Sequence, residues 1–241
     1  TATPTDATMI HLLKNADLYD PTPRGRQHLL ITGGRVAAIL DDDAAAAELA
    51  KAFASLLPDG FSVHDLGGKR VVPGLIDAHL HLTGGGGEAG AHTKVPPLHL
   101  SELTRGGTTT VVGLLGTDDL TRDTSSLLTA VQALRNEGLS AYCLTGGYHL
   151  PLRTLTGSAR GDIVHLDPVI GVGELAVSDH RSSQPTLDEL LRVASEAHVA
   201  GLMTGKAGIV HLHMGDGPRG LSLVREAIDH AEIPARVYHP T

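Results

Sequence analysis

The sequence predicts an α/β protein in which a small β-sandwich precedes the N-terminal part of a (β/α)8 barrel of the TIM type. Three observations indicate this class. From Leu75 onward, aliphatic strand-like runs alternate with amphipathic helical segments, as in repeated βα units. Polar side chains follow the carboxyl ends of successive predicted strands, which form the active face of a barrel. About five or six strands follow Leu75, fewer than the eight of a complete barrel.

Residues 1–74 are predicted to form the small β unit and residues 75–241 the barrel part. The predicted boundary lies at Pro73-Gly74. Gly33 and Gly34 can form a two-residue hairpin turn, and Gly67-Gly68 a second turn. An alanine-rich helix is predicted between the strands, because its apolar residues have helical spacing. Pro58-Asp59-Gly60 ends this helix. The strand-like runs are Met9–Tyr19, Gln27–Leu40 and Phe61–Val72, and the helix is Asp43–Leu57.

In the barrel part, β-branched and aliphatic runs are typical of parallel strands that are buried on both faces. After the strand that ends near His81, the predicted strands are Thr108–Leu115, Ser140–Thr145, Val169–Val177 and Ala207–Met214. The predicted helices are Asp123–Glu137, Leu187–His198 and a segment from Pro218 to about His230. Thr186 and Glu189 have the spacing of a capping box at the start of the second helix. The βα spacing alone fits an open sheet or a closed barrel, and the placement of polar residues favours the barrel.

Composition excludes several classes of function. The 241 residues are 41% hydrophobic and 19% charged, which is enough for a sizeable core. A formal net charge of −8 without a basic cluster argues against nucleic-acid partners and anionic membranes. There is no apolar run of about 20 residues and no signal-like N-terminus, so we expect a cytoplasmic protein. The single cysteine, Cys143, suits a reducing compartment, and 15 histidines favour a metal site.

The segment Val71–Gly90 is the strongest candidate for a functional site. His79 and His81 stand two residues apart at the end of an apolar run, so on a strand both imidazoles point to one face and can bind one metal ion. The alternative is a pair of ordinary polar residues on a half-exposed strand. The preceding Pro-Gly-Leu-Ile-Asp and the glycine loop that leads to Glu88 favour the metal site.

Further polar residues follow the other predicted strands. They are Thr117, Tyr148, the segment Glu174–Arg181, and His213, which precedes Met-Gly-Asp-Gly at the expected start of a helix. We interpret His213 as a functional residue, because it ends a strand and is followed by a bend where a helix begins. The remaining histidines in these segments are interpreted as ordinary polar residues: His149, His165, His198, His211 and His230.

These motifs, taken together, resemble one known family. PGLIDAHLHL is typical of the metal-dependent amidohydrolase superfamily, and TGGGGEAG, VVGLLGTD, LTGGYH, TGS, SDHRS and HMGD follow in the order found in isoaspartyl dipeptidases, also called β-aspartyl peptidases. The resemblance extends from Val71 to the C-terminus. It implies a barrel with two divalent metal ions, expected to be zinc, that hydrolyses dipeptides joined through the side-chain carboxyl of aspartate. We also expect a homo-oligomer.

The resemblance assigns roles residue by residue. The metal ligands would be His79 and His81 for the first ion, Glu174 as the bridge, and His213 for the second ion. The substrate pocket would contain Glu88, Thr117, Tyr148 and Arg181, with Tyr148 and Glu88 acting in catalysis. A hydroxide shared by the two ions would be the nucleophile, because a divalent ion lowers the pKa of water to about 7. Arg181 would bind a substrate carboxylate, unless it pairs instead with Asp179 or Asp162.

Two departures from the family pattern stand out. Better-known members carry a carboxylated lysine at the bridging position, where this chain has Glu174. A glutamate is shorter, so the glycines of Gly171-Val172-Gly173 are expected to form a bulge that moves it towards the metals. Lys206 is the competing candidate for carboxylation, although it should lie at the opposite end of the barrel. The chain also ends at Thr241, before the last histidine ligand and the catalytic aspartate, so a further C-terminal segment is expected to be required.

Two other functions stay open on the sequence alone. One is a different amidohydrolase that acts on cyclic amides or N-acyl amino acids, such as a dihydroorotase-like enzyme. The other is a scaffold of the same fold without activity. The retained pair His79 and His81, together with His213, argues against the scaffold.

Overall fold

The computed structural model describes residues 9–241, which divide into two compact units, one ending at Pro73 and one spanning Gly74–Thr241. None of the helices within residues 9–241 is long and apolar enough to cross a membrane.

The first unit is built on one sheet. Its strands are β1 (Ile10–Asp20), β2 (Thr22–Thr32), β3 (Arg35–Leu40), β4 (Phe61–Asp65) and β5 (Arg70–Val71). The order is β3-β2-β1-β4, and β5 also pairs with β1. Gly33 and Gly34 form the predicted hairpin turn, with positive φ angles of 56° and 71°. Residues 9–73 contain a single sheet, so the second layer of the predicted sandwich is not found among them.

The predicted helix of this unit is confirmed as α1 (Asp43–Leu56). Asp42 caps its start by accepting a hydrogen bond from the Ala44 N–H at 2.8 Å. Asp43 also connects the helix to β2, because its carboxylate contacts Arg26 at 2.5 Å and the buried His28 at 3.0 Å. The helix is otherwise largely exposed.

The second unit contains six strands that all pair in parallel. They are β6 (Leu75–Leu80), β7 (Thr108–Gly113), β8 (Ser140–Thr145), β9 (Val169–Val177), β10 (Ile209–Met214) and β11 (Tyr238–Pro240). Within Gly74–Thr241 the strand order follows the sequence without reversal. A doubly wound open sheet reverses its order at a switch point, whereas a TIM-type barrel does not. The strand order therefore favours a partial barrel.

Helices connect these strands, and their bounds differ from the prediction at two places. The helices are α2 (Leu100–Arg105), α3 (Thr124–Asn136), α4 (Ala159–His165), α5 (Leu187–Thr204) and α6 (Ser222–His230). Helix α5 continues past the predicted end at His198 to Gly205, whose left-handed conformation ends it. The prediction that Pro218 opens the last helix is wrong. A turn precedes that helix, in which Gly217 N–H donates to the Ser178 carbonyl at 2.6 Å and Gly220 has a φ of +47°.

The core of the second unit lies between the sheet and its helices. Leucine and valine side chains of β7 and β9 pack with those of α3 and α5, and Val111, Leu127, Val131, Val172 and Leu190 are fully buried. Eight of the nine residues of β9 are buried. The strand that carries Glu174 is therefore held on both faces, which suits a precisely placed side chain.

Candidate metal centre and substrate pocket

The carboxyl end of β6 brings two imidazoles together. His79 and His81 project from the same side, with ring centroids 5.4 Å apart and ring planes at 79° to each other. Both side chains are about one-third exposed, so each can reach an ion from the open end of the sheet. The strand alternation that predicted this convergence is therefore observed.

Glu174 of β9 faces the same two rings. Its Oε2 lies 3.6 Å from His79 Nε2 and its Oε1 lies 3.5 Å from His81 Nε2, while its side chain is only 2% exposed. The predicted bulge is confirmed: Val172 pairs with Val210 and Leu175 with Leu212, so Gly173 and Glu174 together lie opposite one residue of β10. Glycine is needed at position 173, where φ is +147° and a Cβ would lie 2.7 Å from the His211 carbonyl oxygen.

The spacing of these donor atoms suits a divalent ion. Ligand atoms of tetrahedral zinc, each about 2.0 to 2.2 Å from the metal, are roughly 3.3 to 3.6 Å apart. The nitrogen-to-oxygen distances of 3.5 and 3.6 Å fall in that range and are long for hydrogen bonds. Glu174 Oε2 is also buried with no hydrogen-bond partner among residues 9–241. A buried carboxylate oxygen without a partner is costly unless a cation binds it, so the group fits a metal site.

His213 of β10 reaches the same carboxylate. Its Nδ1 lies 3.3 Å from Glu174 Oε2, and its Nε2 lies 3.0 Å from Asp179 Oδ2. Glu174 Oε2 therefore lies between His79 of β6 and His213 of β10, while Oε1 faces His81.

The protein environment shifts the pKa values of these groups. Burial raises the pKa of Glu174, while the nearby His79 and His213 act in the opposite direction. Burial lowers the pKa of His81, and the neighbouring His79 lowers it further. A lowered pKa keeps the His81 imidazole neutral, which is the form that can donate a lone pair to a metal.

Substrate-pocket candidates lie beside this centre. Thr117, after β7, donates from Oγ1 to Glu88 Oε1 at 3.0 Å. The backbone N–H of Glu88 itself and the Thr117 hydroxyl lower the pKa of Glu88, so its carboxylate is ionised. A cavity of about 830 Å³ opens next to both residues and extends to the segment Leu150–Arg153. Its size is within the range of small-molecule pockets.

Arg181 is already paired within the protein. Its Nε and one terminal nitrogen contact the two oxygens of Asp179 at 3.0 and 2.7 Å, and the other terminal nitrogen lies 3.3 Å from Glu88 Oε1. The sequence-based alternative of an ion pair with Asp179 is therefore confirmed. Asp162 is not its partner, because that buried carboxylate accepts from Thr145 and Thr156. Any substrate carboxylate would have to use the guanidinium edge that Asp179 leaves free.

Tyr148, after β8, is buried at the edge of the metal centre. Its ring centroid is 4.8 Å from that of His213, and the Arg181 guanidinium lies 5.6 Å from the ring centroid. Burial, followed by the charge of Glu174, raises the pKa of Tyr148 to about 12. The phenol therefore keeps its proton and can donate a hydrogen bond.

The interpretation of His211 as an ordinary polar residue is wrong. Its ring is 5% exposed, and its Nε2 lies 2.8 Å from His79 Nδ1. Burial, with a smaller contribution from His79, lowers its pKa to about 4, so the ring is neutral. The signal was present in the sequence, since His211 and His213 repeat the spacing of His79 and His81.

The other histidines that were interpreted as ordinary polar residues differ in their surroundings. His165 and His230 are exposed on helices, in agreement with the sequence-based interpretation, and His198 is part of α5. His149 lies in the loop after β8 as expected, but its ring contacts both Asp119 and Arg181. Lys206 lies before β10, where its ammonium donates to the Leu166 carbonyl at 2.8 Å and to that of Ile163. Its predicted position at the opposite end from Glu174 is confirmed.

The chain was compared with protein-family profiles and with solved structures. No protein-family profile matches the chain. A D-hydantoinase (21% identity, TM-score 0.51, 91% of this chain and 43% of that one) and an enamidase of the amidohydrolase superfamily (17%, 0.55, 90% and 55%) share its architecture. The chain therefore shares the fold of these two proteins.

Two much more similar structures are of the β-aspartyl dipeptidase of Fervidobacterium islandicum AW-1. One matches at 43% identity and a TM-score of 0.88 over 96% of this chain and 60% of that one. The other, in complex with β-Asp-Leu, matches at 41% and 0.87 over 96% and 58%. The resemblance to β-aspartyl dipeptidases that the motifs indicated is thereby confirmed. The chain spans about 60% of the length of these relatives.

Proposed function

We propose that this chain is part of a metal-dependent hydrolase that cleaves β-aspartyl dipeptides. The observation that carries the proposal is the buried Glu174 carboxylate within 3.6 Å of three imidazoles, at a small cavity that Glu88 and Thr117 also line. The identity of 41–43% with β-aspartyl dipeptidases supports the choice of substrate. A segment beyond Thr241 would supply one more histidine ligand and the proton-accepting aspartate.

The metal ions would be held by His79, His81, Glu174 and His213. When bound, divalent ions supply an activated water near neutral pH and a polarised scissile carbonyl. The number of ions that we propose is two, and zinc suits ligands that are imidazole nitrogens and carboxylate oxygens.

The protein's own side chains would bind and orient the dipeptide. Glu88 is ionised and suits the free α-ammonium group, while Arg181 suits a carboxylate. Tyr148, protonated at neutral pH, would donate to the oxygen that becomes negative as the amide carbonyl is attacked. The pocket would in this way bind both charged ends of a zwitterionic dipeptide.

A substrate panel on the full-length protein tests this proposal. The panel compares β-Asp-Leu with α-Asp-Leu, a hydantoin, dihydroorotate and an N-acetyl amino acid, with zinc present and after chelation. We expect hydrolysis of β-Asp-Leu alone, lost on chelation and restored by zinc. Hydrolysis of the cyclic or N-acyl substrates with β-Asp-Leu left intact would favour a different amidohydrolase, and no turnover with no bound metal would indicate a scaffold.

A further inference from the structure

The imidazole of His149 connects the loops that follow three consecutive strands. His149 itself belongs to the loop after β8. Its Nδ1 lies 3.1 Å from Asp119 Oδ2 in the loop after β7, and its Nε2 lies 3.0 Å from the Arg181 carbonyl oxygen in the loop after β9. A carboxylate oxygen and a carbonyl oxygen both accept, so both ring nitrogens carry a hydrogen when the two contacts are hydrogen bonds.

Each of these loops also carries one substrate-pocket candidate. Thr117 precedes Asp119 by two residues, Tyr148 is the direct neighbour of His149, and Arg181 is contacted through its own carbonyl. Strands hold the bases of the loops at fixed distances, but the loop tips depend on contacts of their own. The His149 ring is therefore placed where it can set the distance between the loops that carry Thr117 and Arg181.

The His149 side chain is 39% exposed, but its partner Asp119 is tightly packed. Asp119 is 7% exposed, and a Cβ at Gly147 would lie 2.5 Å from the Asp119 Cβ, so only glycine allows this approach. A further hydrogen bond joins the loops after β8 and β9, where the Leu150 N–H donates to Ser183 Oγ at 3.0 Å. A buried carboxylate that loses its partner is unfavourable, so the Asp119 contact also fixes the orientation of the ring.

We propose that His149 is a positioning residue that sets the position of Arg181 relative to Thr117 and thereby the affinity for the dipeptide. The effect on dipeptide affinity rests on the proposed function. The effect of His149 on the position of the loops does not depend on the substrate. His149 contacts none of the candidate metal ligands through its two ring nitrogens. Arg181 and Asp179, in contrast, contact His213 Nε2 at 3.3 and 3.0 Å, so metal content is measured beside KM.

The kinetic test uses the full-length protein with β-Asp-Leu. His149→Leu removes the ring nitrogens and should raise KM about 10 to 100-fold with kcat changed less than about threefold, since weakening one charge-assisted hydrogen bond to the substrate has an effect of this size. His149→Gln retains an N–H that can reach the Arg181 carbonyl, so its KM should lie between those of the wild type and His149→Leu. His165→Ala, at an exposed position on α4, is the matched control and should leave KM unchanged.

A double-mutant cycle separates positioning from a general structural effect. If His149 acts through Arg181, adding His149→Leu to Arg181→Ala should change KM far less than it does in the wild-type background. Fully additive effects would overturn the proposal.

A second measurement does not depend on the substrate. Hydrogen exchange in the full-length protein should become faster in residues 178–184 of His149→Leu and stay unchanged in β6. If β-Asp-Leu is not hydrolysed by the wild type but this exchange rises, the positioning role stands and the proposed substrate fails. Unchanged exchange and unchanged KM would both contradict the role of His149.

Discussion

At the scale of single residues, Glu174 is the side chain whose chemistry depends most on its surroundings. Its side chain is 2% exposed and burial raises its pKa, which disfavours the charged form in the metal-free protein. The imidazoles of His79 and His213 oppose that shift. A divalent ion would add a much larger positive charge and stabilise the carboxylate outright.

A first prediction concerns the origin of this carboxylate. Because glutamate carries its carboxylate without prior reaction with CO2, activity should not depend on bicarbonate. Metal-free full-length protein is reconstituted with zinc in CO2-free buffer, with and without added bicarbonate, and hydrolysis of β-Asp-Leu is compared. We expect equal recovery, and a strict requirement for bicarbonate would show that a carboxylated lysine is the bridge.

The second prediction concerns Tyr148. Its phenol keeps its proton because burial raises its pKa to about 12, so it can act as an oxyanion donor. Loss of one such donor lowers kcat by roughly 100 to 1,000-fold, and Tyr148→Phe should show a fall of this size with zinc content unchanged. Steady-state kinetics and elemental analysis measure the two quantities. A fall in kcat of less than about threefold would mean that the ring only packs against His213.

At the scale of elements, the bulge in β9 determines where Glu174 lies. The two residues Gly173 and Glu174 occupy the space opposite one residue of β10, so the strand bends and the glutamate moves towards the imidazoles. This geometry depends on a glycine, because the neighbouring backbone of β10 leaves no room for a Cβ.

The third prediction tests this dependence with Gly173→Ala. The new Cβ would lie 2.7 Å from the His211 carbonyl oxygen at a φ of +147°, so the strand must shift. We expect the free energy of unfolding to fall by about 1 to 3 kcal/mol and zinc content to drop. Urea unfolding and elemental analysis provide the measurements. Gly157→Ala, where a Cβ would meet nothing within 4 Å, is a control for positive φ alone and should retain zinc.

At the scale of the whole molecule, the candidate ligands connect strands that are distant in the sequence. His79 and His81 come from β6, Glu174 from β9 and His213 from β10. An ion bound by all of them is bound only by the folded barrel, and it therefore stabilises the fold by mass action.

The fourth prediction follows from this linkage. The Tm of the full-length protein should fall on chelation and rise with free zinc, by an amount equivalent to about 2.7 kcal/mol when zinc reaches 100 times its Kd. His79→Ala should lose bound zinc, this response and activity together. Thermal unfolding at several zinc concentrations measures the effect, with His230→Ala, exposed on α6, as the control. If His79→Ala kept two ions and full turnover, the assignment of that ligand would be wrong.

The sequence predicted most elements whose pattern is long and local. Strands β8 and β9 have the predicted bounds, and α3 differs from its prediction by one residue at each end. The short helices α2 and α4 were not predicted, since fewer than eight residues show too little periodicity. The end of α5 and the start of α6 depended on glycine conformations at Gly205 and Gly220 that the spacing does not specify.

The sequence by itself determined that His79 and His81 share a face, and that Glu174 follows a glycine-rich bulge, because the two-residue repeat of a strand is a local property. Only the tertiary structure decided that His211 contacts His79 across 132 residues, and that Arg181 pairs with both Asp179 and Glu88. Those neighbours depend on strand order and register, which bring the carboxyl ends of separate strands to one edge. The repeated spacing of two histidines marks His211 as a candidate, but it does not specify which side chain His211 contacts.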